Sequence, residues 1–152
     1  MKRGEIVDKY DSLKLDNQIC FPLYALSRKV IQLYKPMLDN YNLTYTQYIV
    51  MLVLWEEGNI SIKELGEKLF LDSGTISPVV KKLIRQGLLE KYRFKEDERI
   101  VMVKLTDAGR EMKDEAVEIP KKLYSQFEGD KEALFQLKKI LDQILGEFEE
   151  ES

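Results

Sequence analysis

The chain has 152 residues, 34% of them charged and 44% hydrophobic, and a net charge of −3; that is one domain's length with enough apolar content for a core. With no histidine and a single cysteine, Cys20, it excludes a Ser-His-Asp triad, a Cys-His dyad, an HExxH zinc site, an internal disulfide and a cysteine-cluster metal site, so neither cofactor nor metal is expected. No apolar run approaches the roughly 20 residues of a membrane span, and the first five residues lack a signal peptide's apolar stretch, so a cytoplasmic chain with no membrane partner is expected.

Residues 1–15 are polar and mixed and read as a loose or short helical arm. Asp16 or Asn17 caps a helix to about Leu38. Its apolar positions Ile19, Leu23, Leu26, Val30, Leu33 and Met37 are spaced as an a/d stripe. Pro22 fits near the start, and Pro36 disturbs the end. Thr44 opens a second helix through Trp55, with Tyr48, Leu52 and Trp55 along one face, and the run Glu56 to Asn59 breaks it.

Ser61 and Glu64 form a capping box for a short helix from Ile62 to Phe70. Asp72-Ser73-Gly74 is a turn and a cap; the helix it starts runs to about Arg85 and ends at Gly87. Two β-like runs follow, Leu88 to Phe94 and Ile100 to Leu105, around a charged tip from Lys95 to Arg99. Val101, Val103 and Leu105 alternate onto one face. Thr106 caps a long helix interrupted at Pro120. Asp130 opens the last helix, with a second a/d stripe at Leu134, Leu137, Leu141, Ile144 and Phe148.

Charge is unevenly placed. Residues 1–59 are net 0, residues 60–105 net +3 and residues 106–152 net −6. The cationic middle is an electrostatic footprint for phosphate on an acidic body, although such a run also serves as a plain solvated face. Short helix, tight turn, polar helix and two-stranded ribbon, in that order, make a winged helix-turn-helix. The second helix must carry a polar face into a major groove about 12 Å wide. Ser73, Thr75, Ser77 and Lys81 lie on or near its exposed N-terminal part. Lys82, Arg85, Lys91, Arg93, Lys95 and Arg99 are placed to neutralise phosphates. Arg99 at the tip suits a narrow minor groove, with Asp97 orienting it.

Narrow apolar seams at both ends of a small chain call for a second copy, and a homodimer reads a palindrome at about 34 Å spacing. The expected fold is therefore mainly α with a small β-hairpin wing, a winged helix-turn-helix dimerised through N- and C-terminal helices. Residues 1–43 are the arm and first dimerisation helix, 44–106 the DNA-binding lobe, and 107–152 the C-terminal dimerisation helices.

The run from Asp97 to Gly109 matches D-x-R-x-x-x-V-x-L-T-x-x-G, the wing signature of the MarR family of bacterial transcription regulators. Leu71 to Pro78 resembles the start of that family's recognition helix. Leu15 to Ala25, Tyr34-Lys35-Pro36 and Leu43 to Tyr48 resemble its OhrR branch of one-cysteine organic-hydroperoxide sensors, to which MgrA and SarZ are related. The resemblance spans about residues 13–122. It implies a homodimeric repressor of a double-stranded DNA operator, with Cys20 as the peroxide-reactive cysteine. Tyr34 and Tyr45 correspond to tyrosines that hydrogen-bond the thiolate from the partner subunit, and Tyr24 to a further tyrosine of that pocket. With no second cysteine the chain matches the type in which a small thiol completes the switch. Phe94 stands where a polar wing residue is expected.

The residues support such chemistry. Cys20 is expected about one turn inside the cap, where the helix dipole favours an anion, and the thiolate is the nucleophile toward an O–O bond. Ile19, Phe21 and Leu23 give apolar surroundings suited to an organic peroxide. Three other readings stay open at this point. In one, a small apolar ligand releases the DNA and Cys20 is structural. In another the chain is a thiol peroxidase, an enzyme. In the third it is a protein-interaction adaptor without DNA.

Overall fold

The computed structural model describes residues 8–150. It resolves into two units, one running to Ile119 and one from Pro120. Residues 1–7 of the expected arm lie outside the described residues.

Two 3-10 turns, Asp11–Leu13 and Leu15–Asn17, precede helix α1, Cys20–Asp39. Neither Asp16 nor Asn17 caps it. Asn17 Nδ2 donates to the Asp11 carbonyl at 2.7 Å and Gln18 Nε2 to the Ser12 carbonyl at 2.6 Å. These side chains close the turns on themselves, and α1 begins behind Ile19, which is helical and caps nothing with its side chain. Cys20 is therefore the first residue of α1, not one turn inside it. Pro36 does not end the helix either. It removes one internal hydrogen bond, while the burial of Leu38 at 1% exposure holds the last turn to the core.

Helix α2, Tyr45–Glu57, starts at Thr44 in a reciprocal capping box with Gln47. It is buried almost all round, with Val50, Met51 and Leu54 fully enclosed. Leu52 departs from the expected face shared with Tyr48 and Trp55: it is 42% exposed while they are buried. It belongs instead to the narrow open strip Tyr45, Ile49, Leu52 and Glu56, whose spacing of 4, 3 and 4 is one helical face. Gly58 ends α2 in the left-handed region at φ 77°.

A third strand, β1 (Asn59–Ser61), follows where only a break was expected. Ser61 and Glu64 then form the expected capping box on helix α3, Ile62–Lys68. Helix α4, Ser73–Arg85, begins at Asp72, whose carboxylate accepts from Thr75 N at 2.7 Å. Strands β2 (Leu89–Phe94) and β3 (Asp97–Leu105) make the ribbon. The sheet is antiparallel in the order β1-β3-β2, with Ile60 opposite Val103 and Leu89 opposite Leu105. The register shifts between Arg93 and Phe94, so Phe94 faces Asp97. The charged tip accordingly contracts to Lys95 and Glu96, and Asp97, Glu98 and Arg99 belong to β3.

Thr106 caps helix α5, Asp107–Ala116, accepting from Gly109 N at 3.1 Å and donating to the Gly87 carbonyl at 2.6 Å. Gly109 is obligatory: a Cβ there would lie 2.2 Å from the Leu88 carbonyl oxygen. The long helix breaks at Val117, three residues before Pro120, and resumes as α6, Glu118–Ser125. Pro120 lacks the N–H that an unbroken helix would direct at position 116, so the ladder fails one turn early. One core joins α2, α3, α4 and the sheet through Leu54, Leu65, Leu83 and Val103, each fully buried.

In the second unit, Asp130 opens α7, Lys131–Glu150, by accepting from Glu132 N at 2.9 Å. Its stripe is open at Leu137, Ile144 and Phe148 and half-buried at Leu134 and Leu141. No helix among the described residues is long and apolar enough to cross a membrane.

Candidate functional site

Two clusters carry chemistry, one on α4 and the wing, the other on α1 and α2. On α4 the Asp72 cap frees the first turn to face outward. Ser73 and Thr75 are exposed there, and Ser77 is half-buried on the next turn. The Thr75 amide holds the Asp72 carboxyl below the usual carboxylate range. Lys81, Lys82 and Arg85 are exposed along the helix, while Ile76, Val80 and Leu83 anchor its other face.

The wing presents one arginine deliberately. Arg99 Nε and Nη2 each donate to an Asp97 carboxylate oxygen at 2.9 Å, and Arg99 N donates to the same carboxylate at 3.1 Å. The Asp97 side chain is 30% exposed and that of Arg99 91% exposed. The bidentate bond lowers the Asp97 carboxyl and raises the Arg99 guanidinium, so both stay charged. Arg93 is used differently: its Nη1 donates to the Glu98 carbonyl at 3.2 Å and braces the ribbon. Lys91 and Lys95 are exposed, and Phe94 is 37% exposed beside the tip.

At the other cluster, Cys20 is exposed at the N-terminus of α1. Ile19, Phe21 and Leu23 around it are 65%, 46% and 43% exposed, so its apolar surroundings are open among the described residues. Tyr24 lies one turn on; its hydroxyl accepts from Arg28 Nη1 at 3.4 Å. Tyr34 and Tyr45 are brought together, their rings 5.0 Å apart, and Tyr48 joins them at 5.5 Å from Tyr34. Burial pushes the Tyr45 phenol up, which keeps it a protonated donor. The structure does not bring this group to Cys20 of the same chain. Cys20 and Tyr34 are fourteen residues apart on one helix, about 21 Å along its axis.

Sequence reasoning missed three contributors. Tyr48 completes the tyrosine group. Trp55 stands 6.5 Å from Tyr48, and its Nε1 donates to the Gly109 carbonyl at 2.8 Å. Gln47 is a buried amide between two elements. Only Gln47 left a signal, the pattern Thr44-Tyr45-Thr46-Gln47, a T-x-x-Q capping box.

The chain is similar to known transcription regulators. The family described as "Transcriptional regulator SarA/Rot" matches residues 32–116. The chain is 45% identical over 138 residues to the organic hydroperoxide resistance transcriptional regulator of Bacillus subtilis, covering 91% of this chain and 94% of that protein. It is 36% identical to the HTH-type transcriptional regulator SarZ of Staphylococcus saprophyticus, over 87% of this chain and 90% of that one. A structure of reduced AbfR bound to DNA superposes with a TM-score of 0.78 at 28% identity, covering 94% of this chain and 98% of that chain.

Proposed function

The chain belongs to the MarR family of winged-helix transcription regulators, among the relatives of the organic hydroperoxide resistance regulators, and on that premise we propose that it is a redox-responsive repressor that binds a palindromic operator as a homodimer and lets go when Cys20 is oxidised. It acts in the cytoplasm, where its DNA is. The observation that carries the redox part is the separation just described: an exposed thiol in uncovered apolar surroundings, and a tyrosine group on the same chain that it cannot reach. The site is incomplete in one protomer. Residues 1–43 and 107–152 supply the dimer surfaces, α1 and α7 lending their open apolar stripes, and residues 44–106 form the DNA-binding lobe. Across the two-fold axis the partner subunit's Tyr34 and Tyr45 donate to the thiolate, with Tyr24 flanking it.

The chemistry is stoichiometric. The Cys20 thiolate attacks one oxygen of an organic hydroperoxide and the O–O bond breaks. The sulfur gains a hydroxyl as sulfenic acid, and the leaving alkoxide takes a proton to become the alcohol. A small thiol then condenses with the sulfenic acid, releasing water and leaving a mixed disulfide. The bulkier sulfur no longer fits between the two protomers, and the recognition helices leave groove spacing. With one cysteine in the sequence, the sulfenic acid is resolved by an external thiol, and the chain reacts once per reset.

On DNA, Ser73, Thr75, Ser77 and Lys81 face the major groove, and Lys82, Arg85, Arg93 and Lys95 meet phosphates. Arg99, held by Asp97, enters the minor groove.

A gel-shift assay on the chain's own upstream region, with and without cumene hydroperoxide, tests this for the parent and Cys20→Ser. The parent is released by peroxide, and Cys20→Ser binds but ignores it. Release of Cys20→Ser as readily as the parent overturns the sensor assignment, and a monomer in sedimentation overturns the shared site.

A further inference from the structure

We propose that Gln47 and Gln86 form an amide bridge that transmits the state of the tyrosine group to the recognition helix, and that they are positioning residues for the redox switch; this rests on the redox reading above. Gln47 is 1% exposed, and a buried amide must be fully bonded to be tolerated. Its Oε1 is fixed in the cap of α2, accepting from Thr44 N at 2.8 Å. That leaves its NH2 to point away from α2, and Nε2 donates to Gln86 Oε1 at 3.2 Å. Gln86 in turn donates from Nε2 to the Asn42 carbonyl at 2.8 Å. Gln86 is thus bonded on both sides, to Gln47 of α2 and to the Asn42 carbonyl of the α1–α2 loop.

The bridge joins the tyrosine-bearing elements at its two ends to the recognition helix at its middle. Tyr45 is the first residue of α2, directly after the Thr44 cap that Gln47 completes. Asn42 lies in the loop joining the helix of Tyr34 to the helix of Tyr45, held at a positive φ of 54°. Gln86 is the C-cap of α4, and its own amide bonds the Lys82 carbonyl, so it moves with that helix. A shift of the Tyr34–Tyr45 pair thus reaches the C-terminal end of the recognition helix through hydrogen bonds that leave little slack.

The helix amplifies it. Ser73 lies about 20 Å from Gln86 along the axis, so a turn of about 5° about the bridge moves the DNA-facing end by about 1.7 Å. That distance separates a made hydrogen bond to a base edge from a lost one.

The test uses full-length chain and a labelled duplex of its own upstream region. The dissociation constant is measured before and after cumene hydroperoxide, for the parent, Gln86→Met, Gln47→Met and the double variant. Methionine keeps the length of the side chain and removes the amide. Each single variant is expected to bind in the reduced state within about threefold of the parent, while its oxidised-to-reduced ratio falls by about tenfold. The ratio of the double variant falls no further than that of the more affected single one, because the Gln47–Gln86 bond is lost in all three, while the further loss of the Thr44 bond with Gln47 and of the Asn42 bond with Gln86 is read in the reduced-state affinity. A purely structural role would weaken both redox states alike and leave the ratio at the parent's value, which overturns the bridge; so does a ratio loss that multiplies in the double variant. Gln86, half-buried at a helix end, carries the test alone if Gln47→Met does not fold. A parent that peroxide fails to release sinks the redox reading and the bridge with it, whereas a responsive parent with equally responsive variants sinks the bridge only.

Discussion

Asp97 grips Arg99 through both carboxylate oxygens while leaving the guanidinium almost wholly in solvent. The pair spends an acidic residue, on the face proposed to meet phosphate, to aim one cation. Asp97→Ala is expected to weaken specific operator binding by about fivefold to tenfold while leaving affinity for mixed-sequence DNA equal or higher, since a negative charge has gone. Competition binding with the two DNAs checks it. The pair's pH behaviour has a fixed sign. Its carboxyl is lowered in the folded chain, so the interaction is present above the ordinary carboxylate range and is lost only as pH falls through the lowered value. Operator binding should show no step from this pair between about pH 8 and 5.

Lys82 and Arg85 are exposed in the last turn of α4 and make none of the ion pairs found among the described residues. Replacing either with alanine should reduce the slope of log affinity against log salt by about one unit per protomer, uniformly across DNA sequences. Titrations at several salt concentrations read this directly. A change confined to one operator position would reassign the residue to base reading.

The Tyr34–Tyr45 pair is expected to act on rate. On the proposed reading Tyr34→Phe and Tyr45→Phe each remove one phenol donor from the partner subunit's thiolate, and each should slow the reaction of Cys20 with cumene hydroperoxide by about tenfold. Affinity of the reduced chain for its DNA should not change. Stopped-flow trapping of the sulfenic acid separates the two quantities.

Gly109 packs its bare Cα against the backbone of Leu88, where a methyl would lie 2.2 Å from the carbonyl oxygen. Gly109→Ala should cost about 3 kcal/mol and lower the melting temperature by about 10 °C. Gly129→Ala, with nothing within 4 Å of the added carbon, is the control and should leave the melt unchanged. Thermal denaturation followed by circular dichroism compares them.

Much of this molecule was legible from its residues. Caps are local chemistry, so Ser61 with Glu64, Asp72 and Thr106 stood out and sit where expected. The alternation of Val101, Val103 and Leu105 is a period-two signal that survives in β3. Three residues are too few to show a period, so β1 was hidden until β3 paired with it. The start of α1 is not legible from a cap pattern, because Asn17 and Gln18 spend their amides on the preceding turns. Leu52 shares its apparent face with buried residues and is nonetheless exposed, because only the packing of neighbouring elements decides which strip of a nearly enclosed helix stays open. The cysteine and its tyrosines were identified as a group only through family likeness. Their separation on one chain is a matter of distance along α1, and the aromatic company of Tyr48 and Trp55 is a matter of packing between turns.

Trp55 is the chain's only tryptophan, and it lies between the phenols and the opening of α5. Light absorbed by the tyrosines passes to the nearest indole, so the unlabelled protein already contains an optical gauge wired to its sensor. A disturbance of the phenols alters the energy delivered, and a loosened bond to Gly109 alters the colour returned. A disturbance of the phenols and a loosening of the Gly109 bond can thus be followed separately in a single cuvette.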